Sequence, residues 1–261
     1  QNQMLSFSKK EKTKSNPRPF LMQMKNYFNS SNFLLDNKPS ARAIPNTPER
    51  ILDAPNLQDD FYLNLLDWGS LNILSVALGE EVYLWNGDTT ETSLLMSSEN
   101  NSITSISWMS SDNCLAIGFD NGDIELWDTM KSLKIRSMRG HFGRVSSMAW
   151  NSYLLSSGSK DNTIINHDVR SKNHIISTLT SHHQEVCALK YNNDGSYLAS
   201  GSNDNMVYIW DVKRINNKLQ SLIVENESDI SIKPSYTMSS HCAAVKALSW
   251  CPWQRSVLAT G

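Results

Sequence analysis

The sequence predicts an all-β fold assembled from a tandem repeat of short strands, and three observations predict it. Aromatic residues close alternating apolar segments at Trp68, Trp108, Trp150 and Tyr191, at separations of 40, 42 and 41 residues, and a fifth copy closes at Trp250 after a gap of 59. A second series, Trp85, Trp127, His167 and Trp210, runs in step at separations of 42, 40 and 43, and its last three members are each followed by an aspartate: Asp128, Asp168 and Asp211. Helical periodicity is absent, so nearly all of residues 60–261 reads as strand and turn.

Taken in chain order, residues 1–42 come first and carry eight Lys/Arg against two acids, a charge of +6, while residues 43–261 carry −8. The basic stretch is rich in Lys, Ser, Asn and Pro and lacks apolar periodicity, which predicts a flexible arm rather than a folded nucleic-acid-binding face. A globular domain is expected over residues 43–261. Within one repeat the elements are legible one by one: Val186–Tyr191, Ser196–Gly201 and Met206–Asp211 alternate apolar and polar residues. Asn193-Asp194-Gly195 and Asn203-Asp204-Asn205 separate them as turns. Four short strands per 40-odd residues, ending in Trp-Asp, is the pattern of WD-repeat β-propeller blades. Residues 213–234 lengthen the fourth repeat as a polar surface insertion, and the outer strand of that repeat is expected at about Pro234 to Ser239. The sequence holds four full units and the start of a fifth, stopping inside a predicted second strand at Leu258-Ala259-Thr260-Gly261. An open stack leaves sheet edges bare, so a fragment of a larger propeller is expected, and Gln1 in place of an initiator Met agrees.

Three histidines stand four positions before the first valine of a unit: His141 before Val145, His182 before Val186 and His241 before Val245. In the fourth unit His182, Ser200, Asp204 and Trp210 match the WD-repeat hydrogen-bond tetrad, and His141, Ser157 and Asp161 repeat it in the third. A Ser-His-Asp hydrolase would draw on the same residue types, but a catalyst needs one copy and this pattern recurs. His182-His183 lacks a Cys or carboxylate at ligand spacing, so a metal is not expected. Nor is any cofactor or enzymatic activity.

Composition excludes further classes. Hydrophobic residues make up 39% of the chain and its mean hydropathy is −0.41, without an apolar run of membrane-spanning length or a signal-peptide core. Cys114, Cys187, Cys242 and Cys251 form neither a disulfide framework nor a CxxC motif, which favours a reducing compartment.

Particular stretches resemble the Fizzy and Fizzy-related family, the WD-repeat activators of the anaphase-promoting complex. Pro48 to Pro55 (PERILDAP) followed by Asp59 to Trp68 (DDFYLNLLDW) is similar to the segment with which that family enters its propeller. Trp150-Asn151-Ser152, Leu155 to Ser159, His167-Asp168-Val169-Arg170, Gln184 to Cys187, Ala244 to Leu248 and Trp250 to Gln254 resemble it too. PERILDAP and WCPWQ favour the Fizzy branch, while residues 57–79 also resemble Fizzy-related.

The resemblance implies a propeller of seven blades in the whole protein and a non-catalytic adaptor that recruits degron-bearing substrates such as cyclins and securin to the ubiquitin ligase in cell-cycle control. Anaphase-promoting complex subunits and spindle-checkpoint proteins are the implied partners, the nucleus and cytoplasm the implied location, and neither nucleic acid nor membrane is expected. A C-box and an Ile-Arg tail are not found in the residues given, so this piece alone is not expected to activate the ligase. Asp53 matches the position that pairs with the arginine of an RxxL destruction box, with Leu52 and Pro55 near its leucine. Asp60, Phe61, Asn203 and Asn205 match positions that receive a KEN box. By spacing alone the two asparagines read as turn residues, and the two aspartates as solvated loop acids. The competing reading of the whole chain is a generic WD-repeat scaffold.

Overall fold

In a computed structural model, residues 4–6, 44–110, 113–217 and 232–261 are described. The chain divides into two compact units, residues 8–53 and a second comprising residues 1–7 with 54–261. In the first unit the described residues 44–53 contain no strand or helix and are exposed.

Among the described residues the larger unit holds four consecutive four-stranded antiparallel sheets and a fifth sheet to which β1 (Met4–Ser6) belongs. Blade one is β2 (Leu66–Trp68), β3 (Ile73–Leu78), β4 (Glu81–Asn86) and β5 (Thr92–Ser97). Blade two is β6 (Ile103–Trp108), β7 (Cys114–Phe119), β8 (Ile124–Asp128) and β9 (Leu133–Met138). Blade three is β10 (Val145–Asn151), β11 (Leu154–Ser159), β12 (Ile164–Asp168) and β13 (Ile175–Leu179). Blade four is β14 (Val186–Tyr191), β15 (Tyr197–Ser202), β16 (Val207–Asp211) and β17 (Tyr236–Met238). The fifth sheet holds β18 (Leu248–Trp250) and β19 (Val257–Thr260). Within each blade the strands pair in sequence order, and short hairpins join them except between β16 and β17, which flank the insertion. The repeat read from the aromatic series is thereby borne out, and β17 falls inside the stretch expected for it.

Two features depart from expectation. Residues 212–217 are helical where strand and turn were expected. The Asp that ends β16 causes it: Asp211 Oδ1 accepts from the backbone N–H of Lys213 at 2.9 Å and of Arg214 at 3.2 Å, which caps a helix start. Ile215 and Ile232 then bury beside Trp210, anchoring both ends of the insertion, whose residues 218–231 lie outside the described set. The second departure is β1, from the stretch read as a flexible arm: Met4–Ser6 pairs antiparallel with Val257–Ala259 on the edge of β19. The rest of that arm, with Gln3, lies outside the described residues.

Side chains of the inner strands tie each blade to its neighbours. Near one end of the inner strand, Ser105 Oγ donates to Val145 O (2.5 Å), Ser147 Oγ to Val186 O (2.8 Å) and Cys187 Sγ to Val245 O (3.2 Å), each reaching the next blade. At the other end the recurrent Trp reaches back: Trp108 Nε1 donates to Asp67 O (3.2 Å), Trp150 Nε1 to Ser107 O (3.1 Å) and Trp250 Nε1 to Lys190 O (3.0 Å). Tyr191 takes that place in blade four and bonds Ser156 Oγ instead, at 2.7 Å. The valines Val145, Val186 and Val245, which open the third, fourth and fifth units, each pack against a glycine on the second strand of the blade before. A Cβ on Gly158 would stand 2.6 Å from Val186 Cγ1, and one on Gly118 2.9 Å from Val145 Cβ, so only glycine fits. The apolar core is accordingly divided among the blade interfaces, with Trp210, Leu155, Leu115 and Leu258 among its fully buried members. Each such side chain contributes roughly 1.5–3 kcal/mol.

Candidate functional site

The histidine chains are part of the blade framework. In blade four Asp204 Oδ2 lies 2.9 Å from His182 Nδ1, His182 Nε2 2.8 Å from Ser200 Oγ, and Trp210 Nε1 donates to the same hydroxyl at 2.9 Å. Indole can only donate, which sets the direction of the whole chain: Trp210 to Ser200, Ser200 to His182, His182 to Asp204. The carboxylate collects further backbone N–H bonds from His183 and Met206. Burial resists ionisation, but His182 and these N–H donors prevail and hold Asp204 down at about 2. Ser200 is fully buried with its hydroxyl committed on both sides, so the arrangement braces two strands and a turn and presents no nucleophile.

Blade three repeats the chain and extends it. Asp161, His141 and Ser157 are linked at 2.9 and 2.8 Å, and Ser157 Oγ lies 2.8 Å from His167 Nε2. His167 stands where blade four has Trp210, and a ring that donates from Nε2 leaves an acceptor at Nδ1. His174 fills that need, its Nδ1 2.9 Å away. Burial lowers the pKa of His167 to about 3, and His174 is lowered by partial burial and by Arg136.

Three of the four residues matched to a KEN-box surface converge. Asp60 Oδ1 accepts from the backbone N–H of Tyr62 at 2.9 Å, and its Oδ2 accepts from Arg144 Nη1 at 2.8 Å. Arg144 reaches Glu185 as well, through Nε at 2.7 Å and Nη2 at 3.0 Å, and lies over the Tyr62 ring. The Tyr62 hydroxyl donates to Asn203 Oδ1 at 2.7 Å across 141 residues of sequence, and Asn203 Nδ2 donates to Gln184 Oε1. Phe61 packs edge-on to Tyr62, is half exposed, and lies under the Lys246 ammonium, which is bonded to the carbonyls of Phe61 and Leu63. Burial opposes ionisation of Asp60, yet the Tyr62 N–H and the Arg144 guanidinium keep its pKa below the ordinary value. Asn205 differs from the other three. It holds a left-handed φ of 64°, as Asn162 does at 71° in the matching turn of blade three, so its backbone serves the turn itself.

Leu52 and Asp53 are exposed at the end of the smaller unit, and Pro55 is exposed at the start of the larger one. Sequence reasoning missed Tyr62, Arg144, Glu185 and Lys246. Tyr62 lies inside the DDFYLNLLDW run, but nothing in spacing singles out the others. Among the described residues no cluster of three or more His, Cys, Asp or Glu is placed to hold a metal, and no helix is long and apolar enough to cross a membrane.

Comparison with known proteins adds the family. The CDC20/Fizzy WD40 domain model matches residues 52–261. The chain belongs to the CDC20/Fizzy WD40 family. Its relatives in that family include the anaphase-promoting complex subunit cdc20 of Dictyostelium discoideum, 46% identical over 226 residues, covering 86% of this chain and 42% of the relative. Cell division cycle 20.5, cofactor of APC complex, of Arabidopsis thaliana is 45% identical over 227 residues, covering 84% of this chain and 47% of the relative. The chain thus spans less than half the length of these relatives. A chain of the crystal structure of a mitotic checkpoint complex superposes with a TM-score of 0.76 at 43% identity, over 88% of this chain and 67% of that one. The family match begins at Leu52, so the Asp53, Asp60 and Asn203 positions all fall within it.

Proposed function

We propose that this chain is the substrate-recruiting part of a non-catalytic activator of the anaphase-promoting complex ubiquitin ligase, reading destruction-box and KEN-box degrons in cell-cycle control. Its partners on this reading are ligase subunits, substrates of the cyclin and securin kind, and spindle-checkpoint proteins, met in the nucleus and cytoplasm. The names of the relatives and the checkpoint complex of the structural neighbour support it.

The observation that carries the proposal is the convergence of Asp60, Phe61 and Asn203 around Tyr62. A KEN peptide presents an ammonium, a carboxylate and an amide. Asp60 retains lone pairs for the ammonium, and the Asn203 amide has an N–H and a lone pair to spare for a polar side chain. The exposed Asp53 carboxylate suits the arginine of a destruction box, with Leu52 and Pro55 beside it in sequence.

The test is a matrix of peptide titrations by fluorescence polarisation, after circular dichroism has established folding. Asp53→Ala should weaken destruction-box peptides well over tenfold and spare KEN peptides, because losing a desolvated charge partner costs about 2–5 kcal/mol. Asn203→Ala or Asn205→Ala should do the reverse. Variants that weaken both peptides equally, or neither, would leave a generic WD-repeat scaffold as the better account.

A further inference from the structure

Tyr62 touches three of the residues assigned above to KEN recognition, one through its backbone and two through its side chain. Its backbone N–H holds Asp60 Oδ1 at 2.9 Å, its ring meets the edge of Phe61 with centroids 5.3 Å apart, and its hydroxyl donates to Asn203 Oδ1 at 2.7 Å. The Arg144 guanidinium lies over the same ring, 5.5 Å from its centroid. Asp60 and Tyr62 lie on the segment entering the propeller, whereas Asn203 lies on the turn between β15 and β16 of blade four. The hydroxyl is therefore what joins the two halves of the surface.

The chemistry of the amide explains why this matters. Asn203 is fixed at one end by Gln184, which accepts from Nδ2, and at the other by Tyr62, which donates to Oδ1. With both ends held, the second N–H and the second lone pair point in set directions. With one end released, the amide can rotate about its terminal torsion, whose preference is broad, and a ligand must then supply the lost ordering.

We propose that Tyr62 is the positioning residue of the KEN-box surface, its hydroxyl pre-orienting the Asn203 amide for the peptide. The inference rests on the KEN reading of the preceding subsection. Tyr62→Phe removes the hydroxyl and keeps the ring on Arg144 and the N–H on Asp60. In this chain, the affinity for a labelled Lys-Glu-Asn peptide should fall about fivefold, the value of one hydrogen bond of ordinary strength. A purely structural tyrosine would not show the next result. In the Asn203→Ala background the same Tyr62→Phe change should leave peptide affinity within about 1.5-fold, because the group it orients is gone.

Two outcomes overturn the proposal while the KEN reading stands: Tyr62→Phe leaves peptide affinity unchanged, or weakens it by the same factor in both backgrounds. A chain that does not bind the Lys-Glu-Asn peptide even with Tyr62 and Asn203 intact removes the KEN reading itself, and the positioning role falls with it.

Discussion

His167 and His174 face each other through like atoms, Nδ1 to Nδ1, at 2.9 Å. Only one proton fits between them, so the two rings cannot both be charged while blade three is intact. An unfolded chain below pH 6.5 binds protons that the folded chain excludes, and stability must fall as the pH drops through that value.

Acid sensitivity should therefore begin well above the carboxylate range. With His167 held at about 3 against an ordinary 6.5, that residue alone should cost about 2 kcal/mol at pH 5 relative to pH 7.5. Asp161 and Asp204, both lowered, lose their contribution only as the pH falls below the ordinary carboxylate value of 3.8. Urea midpoints measured from pH 7.5 to 4.5 would isolate the histidine component. Combining His167→Trp with His174→Leu, which gives blade three the indole of blade four, should flatten the profile; an unchanged slope would exclude the pair as its origin.

Arg144 carries two carboxylates at once, and one of them is buried: the Glu185 side chain is 8% exposed and also receives the Ser146 hydroxyl. Arg144→Met should destabilise the fold by about 3–5 kcal/mol, the usual cost of leaving a buried charge without its partner. Adding Glu185→Gln to that variant should recover part of the loss, since the orphaned charge is then removed. Chemical denaturation of the two variants would show it, and equal stabilities would contradict the assignment.

The glycine-valine fit between blades predicts an overpacking cost. Gly158→Ala would press a methyl group onto Ser147 Oγ and Val186 Cγ1, each at 2.6 Å, and should cost about 1–3 kcal/mol. Val186→Ala in the same chain makes room, so the double variant should lose less than the two single changes added together. Thermal melts would measure that non-additivity.

What the sequence made legible was whatever recurs. Trp68, Trp108, Trp150 and Tyr191 marked the inner strands because each blade repeats the same close packing, and the His182, Ser200, Asp204 and Trp210 chain followed from a histidine held at constant distance from a valine. Contacts made once left no such trace. Tyr62 meets Asn203 across 141 residues, Arg144 meets Asp60 across 84, and no periodicity encodes either. His174 escaped notice because its partner is an exception, the one member of the second aromatic series that is not a tryptophan. The helical turn at 212–217 was hidden by the same Asp211 that ends a blade strand, because the residue type that follows the Trp also caps helices.

Because blades two, three and four are each fastened by side chains to the blade before and the blade after, the larger unit approximates a row of coupled segments. In such a row, energy is shared only between nearest neighbours. Resistance to unravelling is then set by the weakest junction rather than by the average one. The junction between blades three and four differs in one contact, because there Tyr191 reaches a neighbouring hydroxyl where the other junctions have an indole clasping a backbone carbonyl. Arg144 on Glu185, Ser147 on the Val186 carbonyl and Asn151 on the Gly195 carbonyl fasten that same junction, so the missing indole clasp does not make it the place where the row parts.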